Sequence, residues 1–270
     1  MKAGRYRVRA VETGRMRLDG GAMFGTVPRV LWEKTNPPDA LNRIDLALRT
    51  LLAEDGERRI LVDAGIGGSV FGPKETEMYS VRNAATGLDP ATVTDVVLTH
   101  LHFDHAGGAV TDGRLTFPNA RHWLQRRNLE NAKAPNDREK ASYLGRTWQV
   151  LEASGRLALV DGAAEILPEV FTIPSEGHTA GMQLVRVGQG PGSLVYCADL
   201  IPLVSHVRVP YTMGYDIHPG LLIEEKRRLL DEAEREGWLL FFEHDPGVAA
   251  CRLSREKGRV MAAAGVEGLS

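Results

Sequence analysis

The chemistry in this chain is concentrated in six residues, His100-Leu101-His102-Phe103-Asp104-His105, which place three of the eight histidines beside a carboxylate. Imidazole nitrogen with carboxylate oxygen is the donor set of zinc and of other borderline first-row metals. The apolar residues before the run predict a strand, Asp95 to Thr99, that delivers His100. At a strand end a two-residue step puts His100 and His102 on one side. The chain then turns, and Asp104 and His105 project to a second point nearby. Gly107-Gly108 follow and let the backbone pass close to whatever the side chains hold. Four donors split between two points exceed what one open catalytic ion requires and suggest a pair of ions. The alternative, a hydrogen-bonded loop or an exposed histidine patch, leaves the apolar strand ahead of the run unexplained.

Further donors stand at the ends of other apolar segments. His178 lies in Gly177-His178-Thr179-Ala180-Gly181, Asp199 ends Leu194-Val195-Tyr196-Cys197-Ala198, and His244 follows Trp238 to Phe242. Each, taken alone, is also readable as a loop histidine, a turn or cap residue, and a surface histidine respectively.

The elements that must position these donors are short and alternate in type. Strands are predicted at Tyr6 to Val11, Met16 to Asp19, Ile44 to Leu52 and Arg59 to Val62, with Asp55-Gly56 as a hairpin turn. Between them, Gly21 to Pro28, Trp32 and Asn36-Pro37-Pro38 read as a loop carrying large apolar side chains. A helix is expected around Glu77 to Ala85, two short strands between Leu115 and Leu124, and helices at Leu124 to Asn131 and Arg138 to Ala153. More strands follow at Leu157 to Val160, Val170 to Ile173, Met182 to Val187 and Leu194 to Ala198. A helix at Leu221 to Glu236 precedes the strand at Trp238, and Val248 to Ala264 reads as two strands around a Lys257-Gly258 turn. Strands that alternate with helices, with no long linker, predict one layered α/β domain over residues 1–270.

Composition narrows the partners. The 270 residues carry 43% hydrophobic and 25% charged residues, ordinary for a globular protein. A net charge of -2 gives no basic footprint, so no nucleic-acid partner is expected. No apolar stretch is long enough to span a bilayer, and the N-terminal residues lack a signal peptide's apolar core, so a cytoplasmic protein is expected. Two cysteines, Cys197 and Cys251, make no disulfide framework. Cys197 reads as a small core residue, and His122 and His218 as surface or loop residues.

The strings Leu61-Val62-Asp63-Ala64-Gly65, Thr99 to Gly108, Gly177 to Gly181 and Ala198-Asp199 occur in that order, with His244 behind them. Together they resemble the successive metal motifs of the metallo-β-lactamase superfamily, over about residues 40 to 245. The resemblance implies a four-layer αββα sandwich with the site at one edge between two sheets. It implies that His100, His102 and His178 hold one divalent ion and Asp104, His105 and His244 a second, with Asp199 bridging. Zinc suits the donors, and iron, manganese or cobalt could replace it. Asp63 matches a buried aspartate that accepts the far imidazole N–H and fixes its tautomer; the alternative is a plain turn residue before Gly65. Two such ions can share a water, lower its pKa and hold the hydroxide between them while polarising a substrate oxygen. Asp104 and Asp199 would then be catalytic as well as ligating, and the reaction class is hydrolysis.

Departures from particular branches narrow the substrate. Aspartate at 199, where many β-lactamases of the fold carry cysteine, argues against antibiotic hydrolysis. Histidine at 102, where the flavodiiron branch has glutamate, argues against redox chemistry. Gly21 to Pro28 with Leu31-Trp32, Phe117 to Ala120 and Met213 to Asp216 are similar to the branch of lactonases and methyl-parathion-hydrolase-like enzymes. That implies a small-molecule ester or lactone substrate, with phosphotriester or aryl ester hydrolysis as the alternative and a non-catalytic metal-binding scaffold as a third reading. Met23, Phe24 and Trp32 would wall an apolar pocket over the ions or pack a homodimer interface, and Phe103 would join that wall. Some acyl-homoserine-lactone lactonases place a tyrosine shortly after the bridging aspartate; here the third residue after Asp199 is Pro202, leaving His206, Tyr211 or Tyr215 to substitute.

Overall fold

Two sheets face one another, and helices cover the outer face of each. The computed structural model describes residues 1–68, 70–266 and 268–269. The first sheet runs Lys2–Ala3, Tyr6–Asp19, Arg43–Glu54, Arg59–Val62, Asp95–Val97, Arg121–Gln125 and Leu157–Val160 in spatial order. Its early strands are antiparallel, and from Arg59–Val62 onward its neighbours are parallel. The second sheet runs Ala164–Leu167, Val170–Ser175, Met182–Val187, Leu194–Tyr196, Leu239–Phe241, Ala250–Glu256 and Arg259–Gly265. Its only parallel pair among the described residues joins Leu194–Tyr196 to Leu239–Phe241, and the connection carries the helix Pro219–Glu236.

The core explains the layers. Val8, Leu51, Ile60 and Val97 of the first sheet pack with Val170, Leu184, Tyr196 and Phe241 of the second, and Leu229 and Ala233 of the helix Pro219–Glu236 close the far side. The opposite face of the first sheet, through Leu52, Leu61, Val96 and Leu124, buries Leu129 and Leu151 of the helices Arg126–Lys133 and Gly145–Ala153. Strands with both faces buried read as near-continuous apolar runs, and Arg43–Glu54 is buried without a break from Leu46 to Ala53, with Arg49 and Thr50 as the polar residues inside that stretch. The arrangement is the expected αββα sandwich.

Several elements differ from expectation for local reasons. Tyr6–Asp19 is one strand, because the polar break Glu12-Thr13-Gly14 is absorbed as a bulge in its pairing with Arg43–Glu54. Gly14 is needed there, since a Cβ would stand 2.5 Å from the Arg82 carbonyl oxygen. The helix expected at Glu77 is Pro73–Met78; Ser80 at φ 48° ends it, and Arg82–Asn83 pairs onto the long strand. Ahead of Gly145, the Asn136 side chain accepts from the Arg138 and Glu139 N–H groups, which competes with helix formation and leaves only a single turn, Lys140–Ser142. The strand Ala164–Leu167 was not foreseen, its Glu165 breaking the apolar pattern. The presumed loop after Asp19 holds two short helices, Gly20–Phe24 and Arg29–Trp32. His122 is on a central strand and fully buried, not at the surface, whereas His218 is exposed. No helix among the described residues is long and apolar enough to cross a membrane.

Candidate metal centre

The donors gather where the parallel strands end. Asp63 follows Arg59–Val62, His100 lies three residues beyond Asp95–Val97, Asp199 three beyond Leu194–Tyr196, and His244 three beyond Leu239–Phe241. Carboxyl ends of parallel strands are where an open α/β sheet leaves a crevice. His178 enters from the turn after Val170–Ser175. His100 and His102 share a side, as the two-residue step required. His102 is then the N-cap of a one-turn helix, Phe103–Ala106, which swings Asp104 and His105 to the second point. The glycines after the run have a different use from the expected one. A Cβ on Gly107 would lie 2.5 Å from the Ile66 carbonyl oxygen, so they seat this turn against the Gly65-Ile66 backbone and not against the donors' cargo.

His100, His102, His178 and Asp199 offer ligand atoms all within 4.8 Å of one another, and so, separately, do Asp104, His105 and His244. Asp199 reaches both groups: Oδ2 lies 3.1 Å from His178 Nε2 and 3.5 Å from His105 Nε2, and Oδ1 lies 3.4 Å from His244 Nε2. All seven side chains are buried.

What stands behind each ring decides which nitrogen it offers. His178 Nδ1 donates to Asp216 Oδ1 at 2.9 Å, and His244 Nδ1 to the Ala47 carbonyl at 3.0 Å. His105 Nδ1 faces two carboxylates, Asp63 Oδ2 at 3.0 Å and Glu243 Oε2 at 2.7 Å. His100 Nδ1 meets Thr99 Oγ1 at 3.0 Å, and that hydroxyl donates to Asp63 at 2.7 Å. His102 is reversed: its Nε2 points to Glu139 Oε2, 3.8 Å away, and its Nδ1 turns inward.

The inward nitrogens test whether metal ions fit. His105 Nε2 and His244 Nε2 face each other at 3.3 Å, as do His102 Nδ1 and His178 Nε2. With the outer nitrogens of His105 and His244 engaged as donors, the inward nitrogens of these two rings present lone pairs to each other, and facing lone pairs need a cation between them. His100 Nε2 and Asp199 Oδ1 are buried without a hydrogen-bond partner, which is costly for polar atoms unless something charged meets them. The electrostatics agree. Burial opposes a proton on His178, but Asp199 and Asp216 outweigh it and lift its pKa to about 10. Burial likewise opposes one on His244, and Glu243 with Asp199 lifts it to about 9. This negative potential attracts divalent cations as it does protons, so the donor set fits metal.

Residues 49–244 match the metallo-beta-lactamase superfamily. The chain belongs to that superfamily. It is 33% identical over 184 residues to the N-acyl homoserine lactonase AttM of Azorhizobium caulinodans, covering 64% of this chain and 66% of that protein, just under two thirds. It is 28% identical over 222 residues to an N-acyl homoserine lactonase of a Bacillus species, covering 75% and 82% of the two chains. The crystal structure of a probable metal-dependent hydrolase from Staphylococcus aureus superposes with a TM-score of 0.90 at 28% identity over 100% of both chains. Membership and these relatives agree with the expectation of a hydrolase.

Within this metallo-beta-lactamase fold, a cavity of about 320 Å³ opens onto Asp104, His102, His178, Asp199 and His244. Of the residues expected to wall it, Met23, Phe103 and Tyr215 do so, together with Tyr79 and Met213. Phe24 and Trp32 do not line it. They stack on each other, with ring centroids 5.2 Å apart and planes 3° from parallel, inside a core beneath the cavity. Being buried, they are not an exposed surface for a second copy either. His206 and Tyr211 are also outside the cavity: His206 Nε2 donates to the Met23 carbonyl at 2.9 Å, and Tyr211 packs edge-on against Phe24. Sequence reasoning missed Asp216, Glu139 and Glu243. Glu243 had a signal, a carboxylate beside a strand-end histidine. Asp216 fell inside a segment, Met213 to Asp216, read only for its similarity to the lactonase and methyl-parathion-hydrolase-like branch, and Glu139 had none.

Proposed function

We propose that the chain is a dinuclear metal-dependent hydrolase that opens lactones and related carboxylic esters. The observation that carries the reading is Asp199, whose two oxygens reach both donor groups at the floor of an apolar-walled cavity. His100, His102 and His178 would hold one ion, Asp104, His105 and His244 the other, and Asp199 both; zinc suits this mixture of imidazole and carboxylate. Ions bound there would supply Lewis acidity toward a carbonyl oxygen and a water of lowered pKa.

The chain's own residues do the rest. Met23, Phe103 and Met213 exclude water and take the apolar part of the substrate. The Tyr79 and Tyr215 side chains line the same cavity and offer hydroxyls to a ring or carbonyl oxygen. Asp104 lies on the cavity wall with Oδ2 3.8 Å from His244 Nε2, where its carboxylate would take the proton lost by the attacking water and pass it to the departing alkoxide. No serine or cysteine nucleophile is required. The lactonase names of the two relatives favour a lactone as the first substrate to try.

Elemental analysis followed by a hydrolysis panel tests this. About two ions per chain are expected, with ring opening of acyl-homoserine lactones and simple γ-lactones abolished by His102→Ala or Asp199→Ala. Rapid turnover of aryl phosphotriesters with inert lactones would overturn the substrate assignment and leave the metal chemistry. Protein that takes up no metal would overturn both.

A further inference from the structure

A second cavity lies apart from the metal site. It measures about 730 Å³ and shares no lining residue with the metal cavity. Three elements build it: the segment after the short turn Val204–Val207, the helix Pro219–Glu236, and the hairpin of Ala250–Glu256 and Arg259–Gly265. Its charged lining is Arg208, Arg227, Arg255 and Arg259 against Asp231, on a floor that includes Val209, Leu230 and Met261. In a chain of net charge -2, such a concentration of cations is local, not a reflection of bulk composition.

The four arginines are not equivalent. Arg255 is spent on structure, bonding Asp231 at 2.8 Å and Glu234 at 3.1 Å and so fastening the hairpin to the helix. Arg208 lies over the Tyr211 ring, 5.5 Å from its centroid, with Nη1 donating to the hydroxyl. Arg227 and Arg259 come from different elements, line the same cavity, and have no ion-pair partner among the described residues. A guanidinium fork matches phosphate and carboxylate oxygens in pairs. Two free forks supply two charges, which suits a dianion better than a monocarboxylate. The apolar floor and a volume in the range of small-molecule sites suit a ligand whose anionic head carries an apolar body.

We infer that this groove is a second binding site, taking a phosphomonoester with an apolar or aromatic body between Arg227 and Arg259. Binding here is separate from the hydrolytic centre and does not depend on what that centre cleaves.

Calorimetric titration of the metal-loaded protein with phenyl phosphate tests the site, with phenol and inorganic phosphate as controls. The expected result is a single binding event that persists in His102→Ala and is weaker for either control. Arg227→Ala with Arg259→Ala should weaken it about tenfold or more, with lactone turnover unchanged. Should the double variant fold poorly, Arg227→Lys with Arg259→Lys keeps the charge, removes the fork, and should still weaken binding. No binding event would overturn the site. So would one that vanishes in His102→Ala and survives both arginine pairs, since that ligand would be on the metal.

Discussion

Asp216 is the sharpest lever on the centre, because it does two things with two oxygens. Oδ1 accepts from His178 Nδ1 at 2.9 Å, and Oδ2 accepts from the Met213 N–H at 2.7 Å. Asp216→Asn keeps the shape but turns one acceptor into a donor. Whichever way the amide is placed, its NH2 meets an existing N–H. If it faces His178, the ring loses its outer acceptor, the tautomer that presents a bare Nε2 is no longer favoured, and metal affinity should fall about 10–100-fold. If it faces Met213, a buried N–H is orphaned at a cost of about 1–3 kcal/mol, and the Met213 to Tyr215 wall of the cavity loosens. Metal affinity read by competition with a chromophoric chelator separates the cases. The first lowers affinity and kcat together, and the second raises KM and lowers stability with affinity intact. Unchanged affinity, KM and stability in Asp216→Asn would refute the reasoning. His178 would then be held by something other than this carboxylate.

Other predictions follow from the same geometry. Because His178 and His244 hold protons to pKa values of about 10 and about 9 in the ion-free centre, and Glu243 with Asp199 and Asp104 outweighs burial to raise His105 well above its ordinary value, loading zinc at neutral pH should release about three protons per chain, and affinity should fall as pH falls; zinc titrations in buffers of different ionisation enthalpy would show this, and no release would contradict it. Burial with neither ring nitrogen partnered lowers His122 from 6.5 to about 4. A lowered histidine leaves the native state neutral while the unfolded chain protonates, so its cost is absent above the unfolded pKa and grows as pH falls toward the folded one. His122→Leu should therefore gain about 2 kcal/mol on wild type between about pH 7.5 and about pH 5 in urea unfolding, and a constant difference would refute it. Trp32→Ala should cost about 3–5 kcal/mol as a core deletion, whereas Tyr215→Ala, 40% exposed at the cavity, should raise KM and shift stability by no more than about 0.5 kcal/mol. Thermal melts and steady-state kinetics on both would expose an exchange of these roles.

The donors were legible because their signal is local. His100 to His105 are contiguous, and His178, Asp199 and His244 each follow an apolar strand whose end the sequence marks. The residues that aim them were harder to see, because their partners are remote in the chain: Asp216 is 38 positions from His178, and Glu139 is 37 from His102. The apolar segment after Asp19 misled for a related reason. Met23, Phe24 and Trp32 look alike as large apolar residues beside glycines, and only the packing shows that Met23 meets the cavity while the two rings stack below it. Polar breaks were overread at Glu12 to Gly14, where a bulge carries the strand through. A helix was overread at Arg138, where side-chain bonds to the backbone hold the segment open.

The charges show why these hidden residues matter. Asp63, Asp104, Glu139, Asp199, Asp216 and Glu243 are all buried around five imidazoles. Burying a charge costs several kcal/mol unless an opposite charge meets it, so a cluster of this many acidic groups calls for protons or cations on the rings between them, and burial raises Glu243 to about 7. Four of the six, Asp63, Glu139, Asp216 and Glu243, stand on the outer side of a ring. There they draw a proton to the far nitrogen and leave the inner lone pair exposed, so the outer carboxylates set both the charge that a bound cation must balance and the direction from which it is held. Asp199 and Asp104 stand on the inner side, where Asp199 alone spans both groups. Losing Asp216 or Glu139 disarms one ring, and losing Asp63 or Glu243 leaves His105 its other carboxylate, whereas losing Asp199 removes the link between the two halves, so the two kinds of substitution should differ in kind: graded loss of affinity for the first, loss of the paired site for the second.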